Sequence, residues 1–246
     1  HYPLRRQRQM CIRDSFVDRA EDMSPEAQRL ASECHGHYLD QFTFAERATD
    51  WRGNNNIAES VFSQLSQERH PIPRWIVVGA GTGGTSATFG RYVKYRRHET
   101  QIAVVDPEGS AFYDGWAGTV DPPPGRPSRI EGIGRPRVEA SFVPTVIDEM
   151  IRVPDAGSIA AIRMLRERTL HLAGGSTGTN LYGAFQLIAR MRAAGETGSI
   201  VTLICDSGIR YAGTYFNDEW VAQQGWDLAP HRERLDRFLD TGDWVD

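Results

Sequence analysis

Apolar positions along this chain fall into two kinds of run. Short β-branched stretches occur at Arg74 to Val78 (RWIVV), Ile102 to Val105 and Ile200 to Cys205 (IVTLIC). Each is too short for a helix and apolar at consecutive positions, the pattern of a strand buried on both faces. Between them, apolar residues recur at helical spacing. Helices are expected over Pro25 to Cys34, with Ser24 as N-cap, and over Asn54 to Leu65, Thr85 to Arg97, Asp155 to Arg168 and Leu181 to Met191. Tyr38 to Phe42 reads as a short strand. Residues 107–145 form a long excursion rich in Pro and Gly, with PPPG at Pro122 to Gly125. Buried strands alternating with helices predict an α/β fold with a mostly parallel sheet flanked by helices.

Composition narrows the function classes. The chain has 246 residues, 40% hydrophobic and 24% charged, with a net charge of -4. That balance supplies a core and no basic face for nucleic acid. No run approaches the roughly 18 apolar residues of a membrane span. The first fifteen residues lack an apolar stretch, so they are no secretory signal. Cys11, Cys34 and Cys205 are odd in number and widely spaced, which fits a reduced cytoplasmic protein without disulfides or a zinc site. His35 and His37 have no partners at metal spacing, so no metal is expected. Of the 28 Lys plus Arg, only Lys94 is a lysine.

The sharpest local signal is WIVVGAGTGGTSATFG. Gly79, Gly81 and Gly84 fit G-x-G-x-x-G between a strand and a helix, and Asp106 ends the next strand. That spacing admits a dinucleotide, with pyrophosphate at the helix start and the acid on a ribose. The flanking hydroxyls of Thr82 and Thr85 admit a compact phosphate monoester instead. Three more clusters follow: IEGIG (Ile130 to Gly134), AGGSTGTN (Ala173 to Asn180) and CDSGIRY (Cys205 to Tyr211). Each lies in a loop or at an element's end, where α/β proteins place ligands.

Taken in order, GAGTGGT, VVDPEGS, EGIG, FVPTVID, GGSTG, CDSGIRY and NDEW resemble the fold-type II pyridoxal-phosphate enzymes, the cysteine synthase and cystathionine β-synthase family. The resemblance spans roughly Ser24 to Trp220 and implies a tryptophan synthase β-like fold with pyridoxal 5'-phosphate as cofactor. It implies that Gly81, Thr82, Gly83, Gly84 and Thr85 cradle the cofactor phosphate. Ser176 would hydrogen-bond the pyridine nitrogen, with Asp206 near that end of the ring. Gly132 would sit beside the substrate and Gln41 near its carboxylate. Asp106 would belong to a VDPEGS turn rather than to a ribose site.

Family chemistry also needs a lysine that binds the cofactor covalently and moves the α-proton. Family members carry it upstream of every motif matched here. Lys94 lies over two helical turns beyond Thr85, on a charged stretch, and reads as a solvated helix residue. The sequence is therefore expected to be truncated at its start, without a catalytic residue of its own. Residues 1–15, including the densely positive RRQRQMCIRDS, read as a non-native or disordered tail. Residues 16–70 read as a remnant of the small domain, 71–222 as the cofactor-binding large domain and 223–246 as a C-terminal tail. SAFYDGW, the Pro-rich insertion and GGSTGTNLYGAF resemble the bacterial L-cysteine desulfhydrase branch. That resemblance implies β-elimination on L-cysteine, with β-replacement as the alternative and a nicotinamide-nucleotide oxidoreductase as a remote one. It also implies an amino-acid substrate, no nucleic-acid or membrane partner, and a homodimer at full length.

Overall fold

The structure, a computed structural model, describes residues 15–19, 22–53, 55–119 and 125–245. The expected tail before Ser15, Cys11 and most of PPPG fall outside these residues. Two units are present, His1–Gln41 and Phe42–Asp246.

The first unit carries helix α1 (Met23–Glu33). Ser24 lies inside this helix rather than capping it, and its Oγ accepts from the Tyr38 hydroxyl at 3.0 Å. The strand expected over Tyr38 to Phe42 does not form. Asp40 N–H turns back to the Tyr38 carbonyl, and Gln41–Phe44 coils into the short helix α2. A strand needs a neighbour to satisfy its backbone, and none pairs with these residues.

The second unit is built on a four-stranded parallel sheet. After α3 (Ile57–Leu65) come β1 (Trp75–Gly79), α4 (Gly84–Arg96), β2 (Gln101–Pro107) and α5 (Phe112–Ala117). Then follow β3 (Glu149–Val153), α6 (Asp155–Thr169), α7 (Gly175–Ala193), β4 (Ile200–Thr202), α8 (Asp218–Gln223) and α9 (Ala229–Thr241). The strand order is β3-β2-β1-β4. The chain steps outward from β1 to β3, then returns to the other side of β1. The switch between β1 and β4 opens a crevice at their carboxyl ends, where ligands bind in sheets of this kind.

Alternate side chains of the strands feed two cores. Ile76, Val78, Ile102, Val104 and Met150 pack under α3 and α4 with Phe62, Phe89 and Tyr92. Val77, Ala103, Val105, Ile151 and Val153 pack under α6 and α7 with Tyr182 and Leu187. Burial on both faces is what the consecutive apolar runs demand. Residues 223–246, read above as a tail, include α9, whose Leu235 joins the second core. A third cluster gathers Ile130, Ile133, Ile159, Ile162, Tyr211, Tyr215 and Trp226, and fixes the 130–134 loop against α6.

Two elements differ from the sequence reading. EMIRV forms β3, an edge strand whose Glu149 and Arg152 interrupt the apolar run. IVTLIC is not a fully buried strand. Its pairing with β1 covers only Ile200, Val201 and Thr202, and all three are half-buried because β4 is the other edge. Cys205, expected in the core, is exposed.

Gly178 on α7 marks the closest helix contact. A Cβ there would fall on the Ser158 carbonyl of α6, whose hydroxyl bonds the Thr179 hydroxyl at 2.7 Å. Gly178→Ala is expected to lower unfolding stability by about 2–3 kcal/mol, because backbone must shift to admit the methyl. Urea denaturation showing no loss would contradict that packing.

Asp106, at the end of β2, is buried and accepts the Tyr113 N–H at 2.9 Å with one oxygen; the other has no partner. Burial pushes its carboxyl from 3.8 up to about 6, against the hydrogen bonds that favour its charge. The stability it contributes is therefore full below its ordinary value and is lost as pH rises through about 6. Asp106→Asn keeps an acceptor for Tyr113 and removes the titration. Its stability relative to the parent should rise by roughly 2–3 kcal/mol between pH 4 and pH 7. Denaturation curves with equal pH slopes for both proteins would refute this.

Candidate active site

The crevice is lined by two helix starts that lack side-chain caps. Helix α4 begins after Gly83, which stands in the left-handed region at φ +90. Helix α7 begins after Gly174. They share this lack with α1, α5, α6 and α9, whereas Asn56 caps α3 through the Glu59 N–H and Asn217 caps α8 through the Trp220 N–H. First-turn N–H groups of an α-helix have no acceptor within the helix. At α4 those of Gly84, Thr85 and Ser86 have no other protein acceptor among the described residues. With the helix dipole they favour an anion. Thr82 and Thr85 are half-buried beside them.

The IEGIG loop spans the gap between the two helix starts. A Cβ on Gly81 would strike the Gly132 carbonyl oxygen, and one on Gly79 would lie 2.9 Å from Ile133 Cγ2. Gly134 N–H donates to the Ala80 carbonyl at 2.8 Å. At the other end, a Cβ on Gly175 would lie 3.2 Å from Ile130 Cγ2. Gly132 has φ +86 and open space where a side chain would be. The Tyr215 hydroxyl fixes the loop, donating to the Arg129 carbonyl and accepting from the Glu131 N–H, both at 2.9 Å.

On the opposite wall, Ser176 is buried in the first turn of α7. Asp206 sits beside that turn: its carbonyl accepts from Gly174 N–H at 3.0 Å, and a Cβ on Gly174 would collide with its carboxylate. The Tyr211 hydroxyl donates to the same carboxylate at 2.7 Å. Burial, then the Asp206 acceptor, pushes the Tyr211 phenol above its ordinary range, so it stays a donor.

Past Thr202, helix α7 takes over from β1 in holding the β4 segment. Thr177 Oγ1 accepts from Cys205 N–H at 2.9 Å, and Asn180 Nδ2 donates to the Leu203 carbonyl at 3.2 Å. This bond orients the Asn180 amide. Its Oδ1 is left buried and unpartnered, 3.5 Å from where a Gly79 Cβ would stand.

The structure thus brings Gly81, Gly83 and Gly84 to one side of the crevice with Gly132, and Ser176 with Asp206 to the other. Gln41 belongs to the first unit and opens α2 with an exposed side chain. Lys94 lies in the last turn of α4, exposed, donating to the Thr145 carbonyl at 2.6 Å. Tyr215 and Asn180 were not singled out from sequence. Their partners lie 23–86 residues away, and no local pattern encodes such pairings.

The donor set fits a phosphorylated, planar cofactor. First-turn N–H groups without a protein acceptor and two threonine hydroxyls suit a phosphate, and the open space at Gly132 faces no other atom within 4 Å. A dinucleotide fits less well, because Asp106 is 1% exposed and bonded to Tyr113 rather than presented to a ribose. Among the described residues no helix is long and apolar enough to cross a membrane, and no three His, Cys, Asp or Glu side chains converge on a metal position.

Comparison with known proteins agrees with this donor set. The chain is 58% identical over 231 residues to L-cysteine desulfhydrase Cds1 of Mycobacterium tuberculosis, covering 94% of the chain and 63% of that protein. It is 30% identical to cysteine synthase 2 of Emericella nidulans, covering 83% of the chain and 51% of that protein. It is also 30% identical to cystathionine beta-synthase of Dictyostelium discoideum, covering 87% and 41%. The chain therefore spans less than two thirds of the length of these relatives. The profile of the family described as pyridoxal-phosphate dependent enzyme matches residues 10–206, and the chain belongs to that family.

Proposed function

We propose that this chain is the C-terminal portion of a pyridoxal-phosphate lyase that performs β-elimination on L-cysteine, releasing sulfide, pyruvate and ammonia. The observation that carries the reading is the 58% identity to an L-cysteine desulfhydrase, set against 30% to a cysteine synthase. The crevice supplies the matching donors.

When bound, the cofactor supplies an electron sink for the pair left as the α-proton departs. Thr82, Thr85 and the first-turn N–H groups of Gly84, Thr85 and Ser86 hold its phosphate. Gly81 and Gly83 let the backbone approach. Ser176, buried in the first turn of α7, would hold the ring nitrogen through a neutral hydroxyl, not through a charged side chain. Asp206, tethered by Tyr211, sets the polarity at that end. Gly132 leaves space for the substrate, and Gln41 takes its carboxylate.

Residues 71–222 form the cofactor-binding body in this reading; of 16–70, expected on the small-domain side, the part from Phe42 on belongs to that body's unit, with Phe62 in its first core. The 246 residues alone are inactive. Their one lysine, Lys94, is exposed at the far end of α4 and bonded to Thr145, away from the crevice. Unpaired Cys34 and Cys205 fit a reducing cytoplasm, and the full-length enzyme is proposed as a homodimer.

Two measurements test this. Expressed within a longer reading frame that supplies a lysine in a serine context, the protein should release sulfide and pyruvate from L-cysteine; the 246-residue chain should release neither. Faster formation of cysteine from O-acetylserine and sulfide would favour β-replacement instead. Thr85→Val should weaken pyridoxal-phosphate binding by about tenfold, the worth of one hydrogen bond to a charged group. Unchanged affinity, read by fluorescence quenching, would remove Thr85 from the cradle.

A further inference from the structure

A buried carboxylate stands behind the phosphate loop without a role in the reading above. Glu46 lies in the single 3-10 turn Ala45–Arg47 and is 8% exposed. Arg91 Nη1 donates to both the Glu46 carbonyl, at 2.6 Å, and Oε2. Arg47 Nε donates to Oε1 at 2.7 Å. Arg91 is seven residues beyond Gly84, two turns along the same face of α4. The ion pair therefore ties the turn to the helix whose first residues would meet the phosphate.

The turn bears directly on that helix start. A Cβ on Gly84 would lie 3.0 Å from the Ala45 carbonyl oxygen and 3.2 Å from Ala45 Cβ. On the other side, a Cβ on Gly83 would lie 2.8 Å from Phe142 Cα. Ser141 closes the ring: its N–H donates to the Phe42 carbonyl at 3.0 Å, and its hydroxyl donates to the Thr82 carbonyl. Three segments, 42–47, 82–84 and 139–142, thus enclose one another. Glu46 is the one carboxylate among them that draws α4 and the turn together.

We propose that Glu46, held by Arg91, is a positioning residue for the phosphate cradle: it seats Ala45 on Gly84, so that the N–H groups of Gly84, Thr85 and Ser86 converge on one anion. This rests on the cradle reading given above. Two simpler pictures give different results. If Glu46 acted only through its charge, removing that charge near a phosphate would tighten anion binding. If the ion pair only stabilised the fold, phosphorylated and unphosphorylated ligands would be affected alike.

The test uses the 246-residue chain with inorganic phosphate, pyridoxal 5'-phosphate and pyridoxal as probes. Glu46→Gln and Arg91→Gln should each weaken phosphate and pyridoxal 5'-phosphate binding by about tenfold, leaving pyridoxal unchanged. The double variant should lose much less than the two single losses combined, since the Arg91–carboxylate contact is removed by either change. Glu46→Gln binding phosphate as tightly as the parent, or more tightly, overturns the proposal, and so does an equal loss for pyridoxal. A parent chain that binds neither phosphate nor pyridoxal 5'-phosphate overturns the cradle reading itself, before any variant is compared. If Glu46→Gln does not fold, Glu46→Asp keeps the charge and shortens its reach. Its amide hydrogen exchange should quicken at Gly84 to Ser86 more than along the rest of α4; uniform quickening overturns the proposal.

Discussion

Gly81 and Gly132 meet where neither has a side chain, and that close approach shapes the crevice. The Gly132 carbonyl occupies the space a Gly81 Cβ would need. Any other residue at 81 would push the IEGIG loop away from the end of β1. Ile133 would then leave Gly79, and the Gly134 bond to Ala80 would stretch. Because the same loop touches Gly175 through Ile130, both helix starts depend on its position. Small residues here act by omission: each permits a backbone contact that a methyl group would forbid.

The sheet makes such contacts durable. Strands buried on both faces hold the carboxyl ends of β1 and β2 within packed cores of low compressibility. Loops leaving these ends inherit fixed origins. The edge strand β4 has only one neighbour, so its end is less constrained, and helix α7 compensates with the Thr177 and Asn180 bonds. Strand order therefore explains why polar side chains of α7 turn toward the sheet instead of toward solvent.

Features set by neighbours in sequence are legible in the chain alone. RWIVV and IAVV announce strands because consecutive apolar residues have no other economical burial. The glycine spacings announce loops because φ and close approach are properties of the residue itself. EMIRV was missed because an edge strand tolerates Glu149 and Arg152, which spoil the apolar run. IVTLIC misled in the opposite sense: its composition promised a central strand, and only topology shows that it lies at an edge, with Cys205 outside. Arg91 with Glu46 and Tyr215 with Arg129 join residues 45 and 86 positions apart, and no periodicity carries that information.

A division of labour follows from hydrogen-bond arithmetic. A backbone N–H that must meet a ligand cannot also hold its own loop. The groups facing the crevice are therefore left open, and the loops are restrained from behind by atoms that never face it. Ser141 holds the Thr82 carbonyl, Tyr215 holds Arg129 and Glu131, Thr177 holds Cys205, and Arg91 holds Glu46. Open donors of this kind meet water when no ligand is bound, so an anion there replaces solvent. Rigid support from the second layer keeps those donors from being closed off by collapse.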